Sequence, residues 1–273
     1  MITVATPPPL PVRDKATAGD RTAGALSPML GRLAEERATG VLVREHGTLY
    51  LARGRVVHAE SPHAPGLDVL LTAHGTLAAT AWQRAARRAS DVPGTVRLLL
   101  DAGLLPAGAL ELCHLDALYD AGFFALAPSG VPGRFHYDGV PDPGPLPPVP
   151  VVALERETLR RRLLLHRLWP DPATDSAPLV RADPAAPVPV PPRRRAVLDR
   201  VDGVRTAPEI ARDLGRQAFH TLVDVRRLAA AGLLAPVPAA SGPPPPAVPA
   251  PPLTVTDPDV TLLKRLRDAL EAL

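Results

Sequence analysis

The residues whose types and spacing could do chemistry are few. His58 and Glu60 stand two positions apart, and His63 follows. Positions two apart on a strand share a face, so His58 and Glu60 project together. A metal would need a third or fourth ligand in suitable geometry, from His63 or His74. Without a further ligand set the pair reads as the polar face of a hairpin, and no metal is expected. Cys113 and His114 suggest a thiolate–imidazole pair. Neighbours on a helix point about 100° apart and do not face each other. Cys113, the single cysteine, reads as a small buried hydrophobe and excludes an internal disulfide. Ser27, Ser61 and the scattered acids make no triad, and neither a Walker loop nor a dinucleotide fingerprint is present. The expectation is a protein that is not an enzyme and holds no cofactor.

A second set could recognise rather than react. In the stretch from Arg193 to Val237, Gln217, His220, Thr221, Asp224 and Arg227 fall on one predicted outward helix face. Gln217 and Thr221 suit base edges, and Arg193, Arg194, Arg195, Arg216 and Arg226 suit phosphates. The candidate DNA-binding residues are Arg216, Gln217, His220, Thr221 and Arg227. Asp224 argues against DNA, because phosphate would repel it.

The elements that must position these residues follow from composition and period. The 273 residues suggest about two domains, and 46% hydrophobic residues can form a core. The net charge of +3 does not demand nucleic acid. There are 36 prolines, no asparagine, and only Lys15 and Lys264 as lysines. That pattern fits a GC-rich coding bias, which weakens any argument from Arg over Lys. The N-terminal residues lack the apolar core of a signal peptide, and no apolar run reaches the 18 or so residues of a membrane span. A cytoplasmic protein without a membrane partner is expected.

Proline-rich runs divide the chain. The expected organisation is a disordered 1–22, an α+β domain over 23–181, a linker over 182–192, a three-helix domain over 193–236, a linker over 237–255, and an amphipathic helix over 256–273. A further stiff connector is expected at 141–150. In the first domain, Leu26, Met29, Leu30 and Leu33 predict one helix face. Three short β-prone runs follow, VLVRE, TLYLAR and RVVHAE, divided by His46-Gly47 and Arg53-Gly54. They predict an antiparallel meander. Leu49 and Leu51 should share one face, and Val56, His58 and Glu60 one face of the third strand. Four helical patterns, a short strand at GRFHYDG and a helix at ALERETLRRRLLLHRLW complete it.

The order of Thr39, Gly40, Leu42, Gly54, Val57 and Ala59 is similar to that of the PATAN domain family, bacterial signalling modules found beside receiver and other regulatory domains. Phe123, Gly133, Phe135 and residues 157–161 resemble its second half more loosely. The match covers about half the chain, and the proline run at 141–150 departs from it. The resemblance implies interaction and signalling rather than catalysis.

Residues 193–236 resemble a winged helix-turn-helix. Ala196 to Val201 predict a first helix, and Asp202-Gly203 a turn. Thr206 and Glu209 have capping-box spacing before a short helix that ends at Gly215. A longer helix should turn Phe219, Leu222, Val223 and Leu228 inward. Pro236 and Pro238 leave the wing short or absent. The C-terminal helix, capped by Asp257-Pro258, offers Leu262, Leu266 and Leu273 as a docking stripe. Two readings stay open. One is a transcriptional regulator that binds duplex DNA. The other, close behind, is an adaptor that bridges signalling proteins such as a small GTPase and its regulator. The operator, the partner and the oligomeric state are not legible.

Overall fold

Ser27 starts the first helix. Its Oγ accepts the Leu30 N–H at 3.3 Å, and Pro28 takes the first helical position, where a missing N–H costs nothing. The computed structural model describes residues 26–238 except 74, 90, 138–145 and 184–187. Helix α1 (Pro28–Glu35) buries Leu30 and Leu33. Met29, expected on the same face, is 38% exposed, since it sits about 100° of helical turn before Leu30.

The meander follows as β1 (Gly40–Arg44), β2 (Gly47–Ala52) and β3 (Arg55–Glu60). Between β2 and β3 the turn residues Arg53 and Gly54 have φ of 50° and 74°. Two consecutive left-handed residues give the hairpin turn whose twist matches its strands. A Cβ at Gly54 would also crowd the Ala34 carbonyl, and the Gly54 N–H donates to Ala38 O at 2.8 Å. The first hairpin turns at Glu45-His46, and Gly47 already pairs with Arg44.

The third strand departs from simple alternation. Tyr50 pairs with His58, but Leu51 pairs with Val56, so the register shifts there and leaves Val57 as an extra residue. Val56 therefore joins Ala59 in the core, while His58 and Glu60 lie opposite. The expected common face of Val56, His58 and Glu60 is broken by this bulge.

Two short strands extend the sheet to the order β4-β1-β2-β3-β5, with every neighbouring pair antiparallel. They are β4 (Arg134–His136) and β5 (Val149–Pro150). The latter falls within the proline run read as a connector. Val149 pairs with Val56, and Pro150, which cannot donate to a ladder, sits on an edge strand.

Helix α2 (Leu67–Ala73), α3 (Ala79–Ala86) and α4 (Val92–Asp101) form a helical lobe around Leu71, Leu77, Val96 and Leu99. Helix α5 (Ala107–Ala125) lies across β2 and β3, with α6 (Val151–Leu168) beside it. The core between sheet and helices holds Leu30, Leu42, Leu49, Leu51, Leu118 and Leu154. Gly122 lets Leu154 approach, since a Cβ there would meet the leucine's methyl groups.

The rest comprises α7 (Ala173–Ser176), β6 (Leu179–Arg181), α8 (Pro192–Leu198), α9 (Ala207–Asp213), α10 (Ala218–Ala230) and β7 (Leu234–Pro236). Thr206 and Glu209 make the expected capping box, with Thr206 N donating to Glu209 Oε2 at 2.7 Å. Helix α8 starts four residues before the expected Ala196, with Pro192 in its first turn. Among the described residues no wing hairpin follows α10. Instead β7 pairs antiparallel with β6, which precedes the three helices. A shared core joins Val197, Ile210, Phe219 and Leu222 to Phe123 of α5 and Leu165 of α6. The described residues up to Val237 thus make one compact α+β unit.

The expected disorder of 1–22, most of the 237–255 linker and the C-terminal helix with Leu262, Leu266 and Leu273 lie outside the described residues, as does His74. Among the described residues no helix is long and apolar enough to cross a membrane.

Candidate functional site

The first turn of α10 is where a recognition helix would open to DNA. Here it is closed by Asp120 of α5. Asp120 Oδ2 accepts the Ala218 N–H at 2.5 Å, and Oδ1 accepts the Phe219 N–H at 2.8 Å. A carboxylate at a helix N-terminus satisfies orphan N–H groups and complements the positive end of the dipole. Arg161 of α6 stands behind it, its Nη1 3.6 Å from Asp120 Oδ1. The same guanidinium donates to Glu157 Oε1 at 2.8 Å and to Tyr119 O at 3.1 Å, and lies 4.6 Å from the Phe219 ring centroid. Burial pushes the Asp120 carboxyl up to about 6, against the pull of the Phe219 and Ala218 N–H groups and Arg161. Hydrogen bonds from Arg160, then Arg161, hold the Glu157 carboxyl down near 2, against desolvation.

A second lock lies midway along α10. Arg226 is 5% exposed. Its Nε and Nη2 donate to the two oxygens of Asp175 at 2.8 and 2.6 Å, and its Nη1 donates to Leu165 O and Trp169 O. This planar, bidentate geometry is what guanidinium groups favour. The turn between α9 and α10 is sealed as well. Gly215, at φ 61°, abuts Ala73 of α2 so closely that an added Cβ would overlap the alanine Cβ.

The predicted DNA-contact residues therefore part company. Arg216, Gln217 and His220 come together in a crevice of about 380 Å³. Its other walls include Leu70, Cys113 and Asp116, and it also holds Arg193. Arg216 donates to Arg193 O at 3.3 Å. Burial, then the nearby charge of Arg193, lowers the His220 imidazole. Arg227 is exposed. Thr221, read as outward, is 1% exposed and donates to Gln217 O. Asp224, also read as outward, is buried and accepts from Arg193 Nε at 3.0 Å. Both corrections have one cause. Helix α10 is packed on most of its circumference, so Thr221 and Asp224 face partners, and only His220 and Arg227 among its polar side chains stay exposed. Arg226 is likewise spent on Asp175 and is withdrawn from any phosphate.

The strand pair behaves as a local network. His58 Nε2 lies 3.1 Å from Glu60 Oε1, and Tyr50 Oη donates to Glu60 Oε2 at 3.1 Å. The His58 hydrogen bond lowers the Glu60 carboxyl, and burial, with Glu60, pushes the Tyr50 phenol up to about 12. His63 points elsewhere, 5.8 Å from His46 and 5.6 Å from Phe124, ring centre to ring centre. Among the described residues no three His, Cys, Asp or Glu side chains gather as a metal site. Cys113 is partly buried, and His114 is 1% exposed within the fold.

A recess larger than the crevice at Arg216 escaped the sequence reading. It measures about 870 Å³ and runs between the sheet, α5, α6 and the three-helix segment. Phe123 and Phe124 line it, with ring centres 5.1 Å apart and nearly perpendicular. His46, His63, Arg162, His166 and Arg212 line it too. Its two carboxylates are already engaged: Asp175 by Arg226, and Glu209 by the cap of α9. Desolvation and the charge of Arg44 lower the Arg162 guanidinium, and desolvation, His46 and Arg212 lower the His63 imidazole. These residues are spread over more than 160 positions, and no spacing joins them. No protein family, no curated protein and no solved structure matches the chain.

Proposed function

We propose that this chain is a signalling adaptor, a PATAN-like interaction domain whose helix-turn-helix-like segment serves as a docked structural part. The observation that supports this most is the closure of the first turn of α10 by buried Asp120. Helix-turn-helix proteins read bases with the early turns of the recognition helix. On this reading those turns are spent inside the molecule, and the output is a protein contact. The partner class is a signalling protein such as a small GTPase or its regulator.

A second reading keeps DNA binding. It is favoured by the gathering of Arg193, Arg216, Gln217 and His220 in one crevice. The experiment that separates the two is titration of the full chain into labelled random duplex DNA from about 20 to 300 mM salt. The adaptor reading expects no salt-dependent binding. Affinity that falls steeply with salt would signal several phosphate contacts and return the function to DNA. In that case Arg216→Ala and Gln217→Ala should weaken it without lowering the melting temperature.

A further inference from the structure

The recess behind the three-helix segment has the composition of a ligand site. Its volume of about 870 Å³ falls in the range of small-molecule sites, roughly 300–1,000 Å³. Phe123, buried, and Phe124, half-buried, line it with nearly perpendicular rings and give it an aromatic wall. Arg162 and Arg212 stand on the same wall system. Neither makes an ion pair among the described residues. Among the described residues, Arg162 donates to Leu126 O alone and Arg212 to Pro62 O alone, the latter at 2.6 Å. A guanidinium carries five N–H donors, so most of their capacity is unspent. Arg44 adds charge from behind, donating to Ala127 O at 3.4 Å, and its buried Nε has no partner among the described residues. The C-terminal end of α5 offsets part of this charge. The engaged Asp175 and Glu209 offset little more, although Glu209 and Arg212 feel each other.

We propose that this recess binds a small organic anion with a flat apolar body, its carboxylate meeting Arg162 and Arg212 and its body lying on Phe123 and Phe124. The anion supplies the acceptors that the two guanidinium groups lack. The apolar body covers the aromatic pair. Binding of this kind bridges α5 and α6 to α9. It goes beyond the adaptor reading, and it holds or fails whether or not DNA is bound.

The test uses the full chain and 1-naphthoate, with neutral 1-naphthalenemethanol as the control, by isothermal titration calorimetry. The expected result is saturable binding of naphthoate at one site, at least about tenfold tighter than the alcohol. Arg162→Gln and Arg212→Gln should each bring naphthoate down toward the alcohol. Arg167→Gln, on an exposed arginine of α6 outside the recess, should leave binding as it was. Should Arg162→Gln fail to fold, Arg212→Gln decides alone, because Arg212 is exposed and its loss leaves the core intact. The proposal is overturned if naphthoate does not bind saturably, if the alcohol binds as tightly, or if folded Arg variants bind naphthoate like the parent.

Discussion

At Asp120 one buried carboxylate serves three partners drawn from two helices: two N–H groups of α10 and Arg161 of α6. Asp120→Ala leaves the two buried N–H groups without an acceptor and takes from Arg161 one of its two carboxylate partners, leaving Glu157. Stability should fall by about 3 kcal/mol, in line with breaking a buried ion pair, as read from urea unfolding. The pH dependence has a definite sign. Because its carboxyl is raised to about 6 in the fold, above its ordinary value near 4, the native protein binds more protons than the unfolded chain in that window. The protonation-linked part of what Asp120 contributes is therefore full below about pH 4 and is lost as pH rises through about 6, while its hydrogen bonds to α10 persist. Glu157, held near 2, acts oppositely. Its contribution is present above about pH 4.5 and is lost as pH falls through 2. Carboxyl NMR titration should find these two midpoints on either side of the ordinary range.

Helix α10 shows where sequence patterns stop. Its inward apolar stripe, Phe219, Leu222, Val223 and Leu228, is buried as its period predicts. The capping box of α9 also forms as Thr206 and Glu209 predict. The meander is legible because Gly54 marks its turn and Leu49 and Leu51 alternate. The bulge at Val57 is not legible, since one extra residue leaves the composition of the strand unchanged. Nor is the burial of Thr221, Asp224 and Arg226. Polar residues opposite an apolar stripe read as solvent-facing. Here their environment is set by distant groups, such as Asp175, 51 positions before Arg226. The turn before α10 gives a direct test. Gly215→Ala forces a left-handed alanine, at about 1–2 kcal/mol, and adds an overlap with Ala73. Destabilisation above about 2 kcal/mol should be seen by thermal unfolding.

For the molecule as a whole, proline runs suggested boundaries, and the apolar contacts cross them. Phe123 and Leu165 sit in the same cluster as Val197, Ile210 and Phe219. Such a shared core ties the opening of one part to that of the other. Native-state hydrogen exchange should find the slow amides of α5, α6 and α10 opening with a common free energy. Leu222→Ala, at about 2–5 kcal/mol, should lower protection in α5 as well as in α10. Separate opening energies would instead mark two independently stable parts. The ribbon of β6 and β7 adds a mechanical property. Leu179 pairs with Pro236, and the Val237 N–H donates to Pro178 O at 2.7 Å, so the chain enters and leaves the three helices side by side. Tension applied between those two points would not shear the ribbon but load its rungs one after another. The ribbon is thus a zipper loaded from its Pro178–Val237 end, with the Asp175–Arg226 pair, whose aspartate lies three residues before Pro178, as its neighbouring clasp.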